Sequence, residues 1–160
     1  MVKSGVPQGS VFGPVLFLLF INDLPLYIGD CETDLYVDDT TIHTADKDIN
    51  AIESRLQVSV NDFKKWCVNN TMHINVKKTF SMTIRSRYSI LNNPELELTL
   101  DNEEIQTADT FKMLEIQLDQ MLTWDKQIYS IYLNITRKIT LIKMLSKYVS
   151  QDSLKLYFNS

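Results

Sequence analysis

Glycine and proline are scarce in this chain, four of each in 160 residues, and three of the glycines and two of the prolines crowd into residues 5–14. That excludes a flexible linker or a low-complexity protein, and it marks 5–14 as a loop of set shape. Cysteine is scarcer still: Cys31 and Cys67 stand 36 residues apart with no CxxC pair. A disulfide framework or zinc knuckle is excluded, and both read as reduced core thiols. The two histidines, His43 and His73, have no partner at ligand spacing and read as structural. The longest apolar run, Val15 to Ile21, stops at Asn22-Asp23, far short of the roughly 20 residues that span a bilayer. With no secretory leader, the expectation is a soluble intracellular chain, cytoplasmic or nuclear, with no membrane partner.

What is present suits a folded domain. Hydrophobic residues make up 44% and charged residues 22%, with seven Tyr and seven Phe, enough to bury a core and to argue against disorder. The net charge of −4 is unevenly laid. Residues 23–62 sum to −8, 63–94 to +6, 95–125 to −8 and 126–160 to +5. Such alternation fits a protein that holds metal in one place and phosphate backbone in another, and it fits ordinary solvated surface equally well.

Periodicity supplies the elements. Val15–Ile21 reads as a buried helix halted before Pro25. Leu35-Tyr36-Val37 and Thr41-Ile42-His43 flank Asp38-Asp39, so a β-hairpin is expected over 34–44. Asp46 is positioned to cap a helix whose stripe is Ile49, Ile52, Leu56, Val60, Phe63 and Cys67, ended by Asn69-Asn70. A strand is expected at 79–84, with Phe80, Met82 and Ile84 on one face. A second hairpin turns at Asp101-Asn102 between Leu96–Leu100 and Glu103–Ile105, and another strand covers Phe111–Asp119. The last long helix runs from Trp124 to Ser146, striped by Ile128, Ile131, Ile135, Ile139, Ile142 and Leu145, and a short one follows at Ser153–Phe158. The class is α+β.

Tyr36-Val37-Asp38-Asp39 carries the sharpest chemistry. Adjacent ionised carboxylates repel, and a hard divalent cation compensates for that repulsion. A turn would present both groups to a cleft for metal-assisted phosphoryl transfer. By itself an Asp-Asp pair in a turn is more often merely solvated.

The neighbouring segments change the weight of that pair. Gly5-Val6-Pro7-Gln8-Gly9-Ser10, with Phe12-Gly13-Pro14 and Phe20-Ile21-Asn22-Asp23-Leu24-Pro25, resembles motif B of reverse transcriptases from non-LTR, jockey-like retrotransposons. Tyr36–Asp39 resembles their Tyr-x-Asp-Asp box, and Asn75-Val76-Lys77-Lys78-Thr79 their Asn-x-x-Lys-Thr signature. Phe111–Asp119 with Leu122-Thr123-Trp124 resembles their Phe-Lys-Tyr-Leu-Gly…Asp…Leu-Thr-Trp stretch, so four motifs stand in family order over residues 5–125.

The resemblance implies a partial reverse-transcriptase palm over 1–120, carrying motifs B to E, and the start of a helical thumb over 121–160. It implies an RNA-directed DNA polymerase that takes an RNA template, a DNA primer and a dNTP, with Mg²⁺, or Mn²⁺ in its place, as cofactor. Asp38 and Asp39 would hold the metal, Asp38 directly. Gln8 and Gly9 would lie beside the nucleotide, although three glycines could serve only to shape the turn. Tyr36 would floor the pocket, unless it is plain core. Lys78 would meet the pyrophosphate, unless it is a solvated lysine. Leu114 and Glu115 would form the primer grip. Arg137, Lys138 and Lys143 would track nucleic-acid backbone, or form the wet face of a helix packed through its isoleucines.

Two departures matter. The family's third carboxylate belongs to a motif upstream of residue 5, so the chain by itself is expected to be inactive, with an open sheet edge inviting self-association. Glu115 stands where the family has glycine. The competing expectation is a domesticated or relic module that binds RNA or protein without catalysis.

Overall fold

The computed structural model describes residues 9–86 and 96–150. They belong to two compact units, one from Met1–Ser81 and Leu91–Thr107, the other from Met82–Ile90 and Ala108–Ser160.

In the first unit, helix α1 covers Gly13–Ile21 and a single turn, α2, covers Leu24–Tyr27. Pro25 sits in the first turn of α2, where its missing N–H costs nothing, so it opens a helix as well as closing one. The hairpin β1 (Glu32–Tyr36) and β2 (Asp39–His43) is antiparallel, pairing Glu32 with His43 and Tyr36 with Asp39. Helix α3 spans Ile49–Asn69 and ends at Asn70, as expected. A 3₁₀ turn, Val76–Lys78, precedes β3 (Phe80–Ser81), which runs parallel to β6 (Gln106–Thr107). Between them β4 (Thr99–Leu100) and β5 (Glu103–Glu104) form the second expected hairpin. Its two-residue loop holds Asp101 at φ 56° and Asn102 at φ 63°, the pattern of a type I′ turn.

The α3 stripe divides its face between two cores. Cys67 and Trp66 join Ile21, Leu24 and Ile28, with Phe63, Leu35 and Ile42 packed against them. Ile49, Ile52, Leu56 and Val60 pack against Leu96, Leu98, Leu100 and Ile105. Leu24 is wholly buried, and burial of such a side chain stabilises by about 1.5–3 kcal/mol. Trp66 donates its indole N–H to Asp23 (3.1 Å), so the buried ring leaves no unmet donor. Gln57 caps the free edge of β4 from the helix: its amide donates to the Thr99 carbonyl and its carbonyl accepts from the Thr99 N–H, both at 2.9 Å.

The second unit holds β7 (Thr110–Met113), β8 (Ile116–Asp119) and α4 (Asp125–Leu145). The hairpin pairs Thr110 with Asp119 and Met113 with Ile116.

The α+β class stands, and several local expectations are corrected. Helix α1 forms, but it is not buried: only Ile21 is, while Leu18 and Leu19 are 57% and 71% exposed. An apolar run specifies an element that wants cover; it does not supply the cover. The cap of α3 is Asp48, accepting from Asn50 N–H at 3.0 Å. Asp46 instead takes the Lys47 and Asp48 amides (2.7 and 3.1 Å) and pairs with Arg55. The strand expected at 79–84 shortens to two residues, with Phe80 and Ile84 exposed and Ser81 buried. Phe111–Asp119 is two strands, not one. The isoleucine stripe of α4 is not its packing face, since Ile128, Ile131 and Ile135 are each about half exposed. The helix rests on β8 near Gln127, Ser130 and Leu133, which are the half-buried positions of its first turns. Gln8 and the expected helix at Ser153–Phe158 lie outside the described residues.

Candidate catalytic hairpin and nucleic-acid face

Alternation in β1 and β2 sends Thr33, Leu35, Thr40 and Ile42 inward, with Leu35 and Ile42 against the core. The opposite face carries Glu32, Asp34, Tyr36, Asp39, Thr41 and His43. Because Tyr36 pairs with Asp39, the loop is Val37-Asp38 alone, and Asp39 opens β2 instead of sharing the turn. Asp38 and Asp39 are both exposed. Neither carboxylate has a hydrogen-bond or ion-pair partner among the described residues. Four oxygens left free at the tip of a short hairpin suit a hard cation, and Mg²⁺ takes one or two protein carboxylates together with water and substrate phosphates. Among the described residues no group of three or more His, Cys, Asp and Glu side chains is gathered as a complete metal set.

Val37 has φ 54°. The first loop position of a tight hairpin needs positive φ, and a β-branched residue there is a real outlier. Tyr36, 59% exposed, is not core. His43 Nε2 donates to the Asp34 carboxylate at 3.0 Å, with Glu32 at 4.0 Å, an exposed cross-strand pairing.

The other expected site residues fall as follows. Gly9 has φ 84° with open space where a Cβ would project, so the turn needs glycine for its backbone angle. Lys78 is exposed at the end of the 3₁₀ turn. The Asn75 carbonyl accepts both the Lys78 N–H (2.9 Å) and the Thr79 hydroxyl (3.0 Å), which gives the Thr79 side chain a structural partner four residues back. A shallow cleft of about 430 Å³ beside it is lined by His73, Ile74, Asn75, Val76, Lys77 and Glu103.

In the second unit, Leu114 (φ 47°) and Glu115 (φ 68°) form the loop between β7 and β8. Glu115 therefore occupies a left-handed position that favours glycine, and Lys112 Nζ reaches its carboxylate at 2.6 Å. Arg137, Lys138 and Lys143 are exposed and, among the described residues, pair with no acid.

A reverse transcriptase (RNA-dependent DNA polymerase) family model matches residues 1–131. The chain belongs to that family. It is 31% identical over 90% of its length to the RNA-directed DNA polymerase from mobile element jockey of Drosophila melanogaster, and 28% identical over 98% to that of Drosophila funebris. A probable RNA-directed DNA polymerase from transposon BS of Drosophila melanogaster is 29% identical over 78%. The chain is thus a non-LTR retrotransposon reverse transcriptase sequence. It spans 16%, 18% and 14% of the length of these relatives. No solved structure matches it.

Within this reverse transcriptase sequence, the residues that sequence reasoning passed over are Val37, Asp119 and Gln127. Asp119 accepts from the Met121, Thr123 and Trp124 amides and the Thr123 hydroxyl, all between 3.0 and 3.1 Å. Those donors, the Thr123 amide foremost, hold its carboxyl below the usual carboxylate range. An Asp four residues before Thr and just ahead of a helical pattern is a local side-chain-to-backbone signal that was available in the sequence. No helix among the described residues is long and apolar enough to cross a membrane.

Proposed function

We propose that this chain supplies the metal-holding hairpin and part of the nucleic-acid face of an RNA-directed DNA polymerase, with palm over 1–120 and the start of a thumb over 121–160. The observation that carries the reading is the pair Asp38-Asp39, at and just after a two-residue turn, exposed and, among the described residues, unpartnered in a chain of this family. β7–β8 and α4 belong to one compact unit, which supports a primer grip at Leu114–Glu115 acting together with a thumb helix at α4.

Asp38 and Asp39 would hold Mg²⁺ or Mn²⁺. When bound, the metal supplies charge to polarise a primer 3′-hydroxyl and to neutralise the departing pyrophosphate. Gln8 and Gly9 would lie beside the nucleotide, and Tyr36 would floor its pocket. Lys78 brings a cation to the leaving group, and Leu114 and Glu115 bear on the primer end. With two carboxylates and no third among the described residues, these 160 residues are proposed to be inactive unless a further carboxylate joins them.

The test is primer extension on poly(rA)/oligo(dT) with Mg²⁺ or Mn²⁺. No extension is expected from the 160 residues; extension abolished by Asp38→Ala would overturn the claim of inactivity. Mn²⁺ binding read by electron paramagnetic resonance should weaken in Asp38→Asn, and binding unchanged in both Asp38→Asn and Asp39→Asn would remove the metal role.

A second reading, a nucleic-acid-binding module without catalysis, is favoured by Arg137, Lys138 and Lys143, exposed and, among the described residues, without acid partners. RNA binding that falls steeply with salt and disappears on charge reversal at these positions supports it. Self-association is also proposed, because each described sheet has only two strands and so leaves edges open. Sedimentation that does not vary with concentration would reject it.

A further inference from the structure

The signature running from Asp119 to Trp124 is assigned no work by metal or nucleotide binding, yet one carboxylate in it gathers five hydrogen bonds. Asp119 ends β8, opposite Thr110. Its Oδ1 accepts from Met121 N–H (3.0 Å) and Thr123 N–H (3.1 Å). Its Oδ2 accepts from Thr123 N–H (3.0 Å), the Thr123 hydroxyl (3.0 Å) and Trp124 N–H (3.1 Å). The Thr123 hydroxyl in turn accepts from Asp125 N–H at 3.4 Å, at the first residue of α4.

Leu122 (φ 50°) and Trp124 (φ 66°) both lie in the left-handed region. Non-glycine residues persist there only when their surroundings over-determine them. Here the surroundings are one carboxylate that gathers the amides on either side of Leu122 and at Trp124. The first turn of α4 is tied back twice more. Gln127 Oε1 accepts from Gln117 N–H (2.9 Å), and Lys126 Nζ donates to Thr110 Oγ1 (3.3 Å).

We propose that Asp119 is a positioning residue: its carboxylate sets the direction in which α4 leaves β8, so that the Leu114–Glu115 turn and the Arg137, Lys138 and Lys143 flank meet a template–primer duplex as one body. The partner named here rests on the polymerase reading; the directional claim does not. An acid is required because both oxygens must accept. Asparagine presents an NH₂ to donors at one of the two, and two donors then face each other. The effect on the partner is indirect, through the aim of the helix, since Asp119 is itself consumed by backbone donors.

The test uses the whole 160-residue chain. Residual dipolar couplings of the β7–β8 and α4 amides report their relative orientation, and an RNA/DNA hybrid duplex at low salt reports binding. Wild type and Thr123→Ser, which keeps the hydroxyl, should show one fixed orientation and equal affinity. Asp119→Asn should leave α4 helical by circular dichroism but reorient or average it against the hairpin, with duplex affinity down roughly tenfold. Thr123→Val, which removes one donor and spares the amides, should fall between them and guards against a variant that fails to fold. Couplings unchanged in Asp119→Asn, with only a lower melting temperature, would overturn the proposal and leave Asp119 a loop stabiliser. If wild type binds no hybrid duplex, the polymerase reading of this unit fails, while the couplings still decide the positioning claim.

Discussion

Tyr36 and Asp39 face each other across the last rung of the β1–β2 ladder, so the turn between them has room for Val37 and Asp38 only. The candidate metal carboxylates are therefore unlike in their backbones: Asp38 rides on the loop and Asp39 is fixed in the ladder. The angular cost of the tight loop falls on Val37, at φ 54°.

Relief of that cost should be measurable. Val37 is 57% exposed, so its removal forfeits little packing, while left-handed backbone costs an L-residue about 1–2 kcal/mol. Val37→Gly should stabilise the chain by about 1 kcal/mol, read as a rise of about 2–4 °C in melting temperature. An unchanged or lower value would mean that the strain is relieved elsewhere.

Glu115 offers a parallel case in the second unit. Its φ of 68° and its ion pair with Lys112 pull in opposite directions. The pair is exposed, and exposed pairs contribute about 0–1 kcal/mol, so the backbone cost should win. Glu115→Gly is expected to raise the melting temperature, whereas Lys112→Ala should change it little. Destabilisation by Glu115→Gly in high salt, where the pair is screened, would refute the ranking.

Much of the first unit could be read in advance because its cues were local. Alternation with turn residues at Asp38 and at Asp101-Asn102 located two hairpins, and the α3 stripe was clear. The failures share a physical cause. An apolar run such as Val15–Ile21, or the isoleucines of α4, looks the same whether its cover is present or not. Asp46 and Asp48 are both able caps two residues apart, and only backbone geometry chose between them. Phe111–Asp119 read as one strand because a two-residue loop preserves the alternation on either side of it. Of the candidate site, the aspartate pair was legible from its turn. The strain at Val37 was not, since it depends on an angle that composition does not reveal; the Asp119–Thr123 spacing signals a local bond, but not the full set of amides that gathers on that carboxylate.

Asp119 and Asp46 should shape the response to acid. Backbone donors lower both carboxyls below their ordinary value of 3.8, Thr123 foremost at Asp119 and Asp48 at Asp46. The folded chain then holds protons less readily than the unfolded one. The stability these groups contribute is present above the ordinary value and is lost as pH falls through the lower folded values. Thermal melts from neutrality down to about pH 2 should show Asp119→Asn less stable at pH 7 but with a flatter acid limb. An acid limb identical to wild type would show that the donors do not act on the ionised form.

The two thiols should differ in reactivity although they pack in one cluster. Cys67 is 3% exposed and its burial raises the thiol above its ordinary value of 9.0, while Cys31 is only partly buried. The reactive species is the thiolate, so Cys67 is disfavoured twice, by access and by ionisation. At mildly alkaline pH, Ellman's reagent should label Cys31 first, with Cys67 slower by about tenfold or more, and in denaturant the two rates should converge. Since Cys67 lies among Ile21, Leu24, Ile28 and Trp66, its slow phase also times the opening of the core on which the β1–β2 hairpin packs. Equal rates without denaturant would mean that this core opens as readily as Cys31 is reached.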